Sequence, residues 1–346
     1  SVGGYASVPG VIAAALRRIP IALVEPNAMP GRANRLAARF ARGVFVQFES
    51  AAGALGRAGA VSVVGAPLRQ ALVAAFRGAP PRRAPGKPLR LLVFGGSQGA
   101  RQINDAMIEA APRLDRTGFE VFHQTGEADR ERVAAAYAGA GISAQVVAFE
   151  RDMPTRYAAS DIALCRSGAL TVAELAMAGL PALLVPYPYA ADDHQSANAR
   201  AAAEAGAAIV LPSRPLGAAE LLAALAELAG NPEHLVAMGA AAARLARPDA
   251  AANIVEACAA WGARARSGCA AARARSVGSR EDGKASEGPL GEAHPKNPLR
   301  RRGRHRHVRD RGAASGPGLP HHGLGREGER EHGAAALARH RGGDRP

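Results

Sequence analysis

The sequence predicts an α/β protein built on parallel, doubly wound sheets. Three observations carry that expectation. Short apolar runs recur between amphipathic helical stretches, glycine-rich turns stand where strands give way to helices, and a proline-rich break divides the pattern into two series. Strands that alternate with helices imply βαβ crossovers, and ligands of such sheets sit beyond the carboxyl ends of the strands.

The first series has a helix over about residues 8–18, then strands at Ile21 to Val24, Val44 to Val46 and Val61 to Val64. Pro67 to Phe76 reads as a helix with proline in its first turn. Residues 79–88 read as a linker, because repeated prolines among basic residues cannot propagate a helix or a sheet. The second series opens with a buried strand, Leu89 to Phe94, and a helix from about Ala100. Further strands are expected at Phe119–His123, Val146–Phe149, Ile162–Cys165, Ala182–Val185 and Ala208–Leu211. Helices are expected at about 169–178 and 194–204, and at about 217–229, 231–246 and 249–261. This gives two domains, 1–78 and 89–247, with a cleft between them and a last helix over 248–261.

Composition separates the body from the tail. The formal charge of +14 is concentrated in residues 262–346, which hold 19 Lys or Arg and 9 Asp or Glu. That segment has no Phe, Tyr, Trp, Ile or Met, so it cannot bury enough apolar area to offset chain entropy and is expected to be disordered. It reads better as an accidental extension, such as out-of-frame translation, than as a nucleic-acid arm. No specific nucleic acid is expected as a partner. Cys165, Cys258 and Cys269 show no paired spacing, which argues against a disulfide framework or a thiolate metal site. No uncharged apolar stretch reaches the roughly 18 residues of a spanning helix. The opening Ser1-Val2-Gly3-Gly4-Tyr5 reads as the middle of a fold, so a preceding segment is expected.

Four motifs carry chemistry. Gly95-Gly96-Ser97-Gln98-Gly99-Ala100 runs from a strand into a helix, where glycines admit a phosphate and free amides favour negative charge. The same turn could serve packing alone. Cys165 to Glu174 again joins a strand to a helix start. Glu174 stands three residues after Thr171, either as half of a capping box or as an acceptor for ribose hydroxyls. The loop Pro186 to Asn198 is dense in polar side chains. Asp192 and Asp193 could cap the next helix there, while His194 and Gln195 could reach a sugar. Glu25 to Asn34 is a rigid loop whose Glu25, Asn27 and Asn34 could bind hydroxyls or simply build a turn.

In this order, with GAPLR at 65–69, the motifs GGSQGA at 95–100, CRSGALTVAE at 165–174 and DDHQ at 192–195 resemble the MurG family over about residues 1–261. The resemblance implies a GT-B fold with an acceptor domain first and a donor domain second. It implies inverting transfer of N-acetylglucosamine from UDP-N-acetylglucosamine to the 4-hydroxyl of a lipid-linked muramyl sugar, lipid I to lipid II, with no tightly bound cofactor and no metal. It places the enzyme peripherally on the cytoplasmic face of the inner membrane, with the membrane surface and cell-wall synthesis and division proteins as partners.

By motif matching, Asn27, Arg69, Ser97, Glu150, Ala169, Leu170, Thr171, Val172, Ala173, Glu174 and Gln195 would bind the donor. Ser97 would hold a phosphate, Glu174 the ribose, and Gln195 with the backbone near Ala169 the sugar. Glu150 falls where the family uses a backbone contact to uracil. Tyr5, Glu25 and Asn34 would face the acceptor. The family's GGTGGH loop, with the histidine expected as base, is absent from this sequence, and Val24 stands where a histidine often precedes the family's Glu. The chain is therefore expected to bind UDP-sugar better than it turns over. Rival readings are a non-catalytic UDP-sugar-binding fragment and another GT-B enzyme such as a UDP-N-acetylglucosamine epimerase. A Rossmann dehydrogenase is disfavoured, since no G-x-G-x-x-G with a downstream acid follows a strand.

Overall fold

A computed structural model describes residues 1–55, 60–79, 84–96, 99–212 and 215–261, all within one compact unit. The expectations for Ser97 and for the tail at 262–346 lie outside the described residues. Two parallel sheets organise the chain. The first has three strands, β1 (Ala22–Glu25), β2 (Gly43–Val46) and β3 (Ala60–Val63), in the order β1-β2-β3. Helices α1 (Val8–Leu16), α2 (Arg32–Ala37) and α3 (Glu49–Ala54) accompany it. β2 is buried along its length, as its unbroken apolar run requires of a strand covered on both faces.

The second sheet has six strands in the order β6-β5-β4-β7-β8-β9. They are β4 (Leu89–Phe94), β5 (Phe119–Gln124), β6 (Ala144–Val147), β7 (Ile162–Cys165), β8 (Ala182–Leu184) and β9 (Ala208–Val210). The chain winds outward from β4 through β5 to β6, then returns to the other side of β4 with β7. That reversal makes the crevice between the ends of β4 and β7 the topological switch point, where doubly wound sheets hold ligands. Most strands fall within a residue or two of the sequence expectation. β6 lies two residues earlier than expected, because its parallel register pairs Ala144 with Val121 and leaves Ala148 and Phe149 beyond the strand.

Side-chain alternation gives this sheet two cores. Leu91 and Val93 face α5 (Arg101–Ala110), α6 (Arg130–Ala140), α10 (Ala218–Gly230) and α11 (Pro232–Arg244). Leu92 and Phe94 face α7 (Met153–Ala159), α8 (Ala169–Ala178) and α9 (His194–Glu204). This second core also takes in Leu72 of α4 (Gln70–Phe76), together with Val73 and Phe76. So α4 precedes the linker but packs on the six-stranded sheet, whereas a boundary at residue 78 would assign it to the first domain. It also starts three residues later than expected: Pro67 lies outside, and Arg69 holds extended backbone at the N-cap.

Residues 250–261 are helical and return to the first sheet. Trp261 stacks on Phe45 at a centroid distance of 6.2 Å, and the Arg42 guanidinium lies 5.5 Å from its ring centre. Gly43 lets the indole in, since a Cβ there would come within 2.7 Å of it. Arg77 ties the end of α4 to Asp249 at 2.8 Å.

Candidate active site

A cavity of about 1000 Å³ opens at the switch point. Gly95, Gly96 and Gly99 after β4, Arg166 and Gly168 after β7, Thr171 of α8, and Tyr187 and Gln195 line it. The backbone approaches closely here. Gly99 has φ +72°, and a Cβ on it would collide with the Thr125 carbonyl. Only glycine fits, and the first turn of α5 then points its amides toward the cavity.

Four charged residues line the cavity, Arg101, Asp105, Glu109 and Arg166, and Arg166 is the half-buried one. Its Nη1 donates to Gln102 Oε1 at 3.0 Å, to the Pro186 carbonyl at 3.1 Å and to the Val185 carbonyl at 3.3 Å. Its guanidinium lies 5.3 Å from the Tyr187 ring centre. Among the described residues it has no carboxylate partner, and burial pulls its pKa below the usual arginine value. A half-buried cation held only by neutral acceptors is suited to an anionic ligand.

The motif residues of α8 divide by helical geometry. Ala169 and Val172 turn into the core, Leu170 is exposed, and Thr171 faces the cavity. Ala169, at the start of α8, therefore offers a ligand backbone rather than side chain, while the Val172 amide is spent on the Gly168 carbonyl at 3.0 Å. Glu174 Oε2 accepts the Tyr157 hydroxyl at 2.8 Å, and Oε1 lies 3.6 Å from Arg69 Nη2. Burial, followed by the Glu174 charge, holds the Tyr157 hydroxyl protonated well above its ordinary range, so tyrosine is the donor. The capping-box alternative is not realised. Gly168 is the N-cap, no side chain caps it, and Glu174 faces α7 and Arg69 instead.

Glu150 is engaged at the far end of the sheet. Its carboxylate accepts Arg156 Nε at 2.7 Å and the Asp152 amide at 2.8 Å. Burial alone would raise its pKa, but these donors outweigh burial and hold it below the usual carboxylate range. Gln195 lines the cavity and its Oε1 accepts the Tyr187 amide at 2.9 Å. Asp192 and Asp193 both adopt left-handed backbone. Asp193 is the N-cap of α9 without bonding a helix amide, and Asp192 pairs with Arg32 at 3.3 Å.

The Glu25 loop is closed on itself. Glu25 Oε1 accepts the Asn27 amide at 3.0 Å and Asn27 Nδ2 at 3.1 Å. Oε2 accepts the Gly31 amide at 3.0 Å and Asn34 Nδ2 at 2.8 Å. Glu25 and Asn34 are buried, so both shape the loop from inside, while Tyr5 is exposed. Asn198, fully buried, joins this loop to the cavity. Its Oδ1 accepts the Ala28 amide at 2.8 Å, and its Nδ2 donates to Asn27 Oδ1 at 3.2 Å and the Ser167 carbonyl at 3.1 Å. His194 Nδ1 lies 2.9 Å from the Met29 carbonyl across the same junction.

Sequence reasoning passed over Arg166 and Asn198. A cation directly after a buried strand and before Ser-Gly was a usable signal for the first. An asparagine inside a helix, where it is a poor former, was one for the second.

Residues 90–254 match the glycosyltransferase family 28 C-terminal domain, and residues 1–46 match the family 28 N-terminal domain. The chain is 45% identical over 260 residues to the UDP-N-acetylglucosamine--N-acetylmuramyl-(pentapeptide) pyrophosphoryl-undecaprenol N-acetylglucosamine transferase of Syntrophotalea carbinolica, covering 74% of this chain and 71% of that protein. The enzyme of the same name from Aeromonas hydrophila is 44% identical over 259 residues, covering 74% and 70%. The crystal structure of MurG from Acinetobacter baumannii superposes with a TM-score of 0.63 at 34% identity, over 74% of this chain and 72% of that one.

The chain belongs to the MurG family.

A UDP-GlcNAc 2-epimerase from Neisseria meningitidis, at 15% identity and a TM-score of 0.53, shares the fold alone, over 74% of this chain and 73% of that one. The fold is α/β with two parallel sheets, in a glycosyltransferase whose family uses a UDP-sugar donor without a tightly bound cofactor. Among the described residues no helix is long and apolar enough to cross a membrane, and no group of three His, Cys, Asp or Glu is placed to hold a metal.

Proposed function

We propose that this chain transfers N-acetylglucosamine from UDP-N-acetylglucosamine to the 4-hydroxyl of the muramyl sugar of undecaprenyl-pyrophosphoryl-MurNAc-pentapeptide, the reaction for which its relatives are named. The acceptor oxygen bonds to the anomeric carbon with inversion as the bond to UDP breaks, and the acceptor proton passes to a base. The observation that carries the donor half is Arg166. It is a cation without a carboxylate partner that lines the same cavity as the glycine turn at the switch point, suited to the negative charge that grows on the leaving diphosphate. Each such donor typically contributes about 3 kcal/mol to the transition state.

In this reading residues 89–247 form the donor domain, residues 1–78 part of the acceptor domain, 79–88 the linker, and 248–261 the helix that returns to the first sheet. Ser97 and the turn around it hold phosphate. Glu174, with Arg69 beside it, takes the ribose, and the backbone at Glu150 takes uracil. Thr171, the amides near Ala169, and Gln195 hold the sugar hydroxyls. Asn27, set by Glu25 and Asn34, lies where the two substrates meet, and Tyr5 faces the acceptor. Peripheral attachment to the inner membrane is supported by the exposed Ile12, Leu16 and Ile19 beside Arg17 and Arg18. A place beside cell-wall synthesis and division proteins goes with that setting.

Calorimetric titration of the full chain with UDP-N-acetylglucosamine tests the donor site, with UDP-glucose and GDP-mannose as controls. Selective binding that Glu174→Ala abolishes is the expected result. Equal binding of all three sugars, or none by the folded protein, overturns the reading.

A further inference from the structure

A buried polar chain runs beneath the glycine turn of the cavity. His123 in β5, Asn104 in the first turn of α5 and Tyr137 in α6 are each at most 2% exposed, beside a core made of aliphatic residues, methionine and Phe119. His123 Nδ1 lies 2.9 Å from the Tyr137 hydroxyl, and its Nε2 lies 3.0 Å from Asn104 Oδ1. Asn104 Nδ2 donates to the Thr125 carbonyl at 3.0 Å and to Asp129 Oδ2 at 2.8 Å.

The partners leave one arrangement of protons. Both amide protons of Asn104 go to acceptors that cannot donate, so its Oδ1 must accept. His123 Nε2 therefore carries the ring proton and donates. Nδ1 is then bare and accepts from Tyr137. Burial pushes the imidazole pKa down to about 3, so the ring is neutral at ordinary pH. The line of donation runs from Tyr137 through His123 and Asn104 to the Thr125 carbonyl. That carbonyl is the one against which Gly99 packs without room for a Cβ. The chain thus ends on the piece of backbone that sets how far the glycine turn and the first amides of α5 stand from the loop after β5.

We propose that His123 and Tyr137 are positioning residues for the diphosphate part of the donor site. They hold Asn104, and through it the Thr125 carbonyl, so that Gly99 and the start of α5 keep the spacing that a diphosphate needs. This rests on the donor-site reading above. A directional network suits the task better than apolar packing, which fills space but does not fix an amide's orientation. The residues touch no substrate; they act through Asn104 and Thr125.

The test is Tyr137→Phe in the full chain, which keeps the ring and removes only the donor to Nδ1. Affinities for UDP and for uridine are compared by competition against UDP-N-acetylglucosamine. UDP is expected to weaken about tenfold while uridine changes less than about twofold, since one lost directional bond is felt at the phosphates alone. Equal weakening of both, or of neither, overturns the proposal. The unmodified chain is titrated first. If it does not bind UDP, the donor-site reading itself fails, an outcome separate from unmodified binding that Tyr137→Phe leaves intact. A measurement that needs no variant guards against misfolding: side-chain ¹⁵N spectra of the unmodified chain should show His123 protonated at Nε2 and bare at Nδ1. The reverse tautomer overturns the proposal.

Discussion

The Glu25 loop and the Arg166 turn both follow the carboxyl end of a parallel strand, yet they dispose of their polar groups in opposite ways. Glu25 takes four hydrogen bonds from its own loop and is closed to solvent. Arg166 is held by neutral oxygens only and faces a large cavity. A saturated buried charge is a structural brace, because every lone pair is already used. An unsaturated one is a cost to the folded chain that a ligand of opposite charge relieves. The two charges thus show how to tell scaffold from site: by what each has left over after its internal bonds are counted.

The sharpest way to break this comparison is Glu25→Ala. It strips four donors of their acceptor in a buried loop and is expected to cost about 3–5 kcal/mol of stability, read by urea denaturation. Arg166→Ala should do the reverse. Stability should hold or rise slightly, while UDP affinity falls by about 2–3 kcal/mol in calorimetry. If Arg166→Ala unfolds the protein and Glu25→Ala merely weakens UDP binding, the assignment of brace and site is inverted. A smaller effect sharpens the contrast through pH. His123 has a folded pKa of about 3 against 6.5 for an unperturbed histidine. Between those values the unfolded chain binds the proton and the folded chain does not. Stability should therefore fall as pH drops through that window, by at most about 1.4 kcal/mol per unit. Denaturation series at several pH values, compared with His123→Gln, should show a shallower slope in the variant. The least effect is expected for Arg69→Ala. Its side chain is mostly exposed and only 3.6 Å from Glu174 at its nearest, so stability should change by less than about 1 kcal/mol.

The parallel α/β architecture was legible because buried parallel strands read as plain apolar runs, Ile162 to Cys165 for example, and because glycine turns marked where they ended. Periodicity could not say which sheet a helix serves. α4 carries an ordinary apolar stripe, and only its packing assigns Leu72 to the six-stranded sheet. The motifs at 95–100 and 165–174 pointed to the cavity, since backbone amides at strand ends are a property of local sequence. Whether a side chain is spent or spare was not legible. Glu25 looks like a ligand in the sequence, but its partners lie within its own loop, and Asn34 spends its amide there while its Oδ1 is buried without a partner. Asn198 shows its reach to Ala28 only when residues 170 positions apart meet. Glu174 looked like half of a cap because spacing alone cannot see Tyr157 across the interhelical gap.

The stack of Trp261 on Phe45 has a spectroscopic consequence. It is the sole tryptophan of the chain, it stacks on Phe45 of the three-stranded sheet, and it is not among the residues that line the cavity. Its emission therefore reports on one sheet only. Paired with far-ultraviolet dichroism, which averages over every helix, it separates loosening of the first sheet from unfolding of the whole without any introduced label.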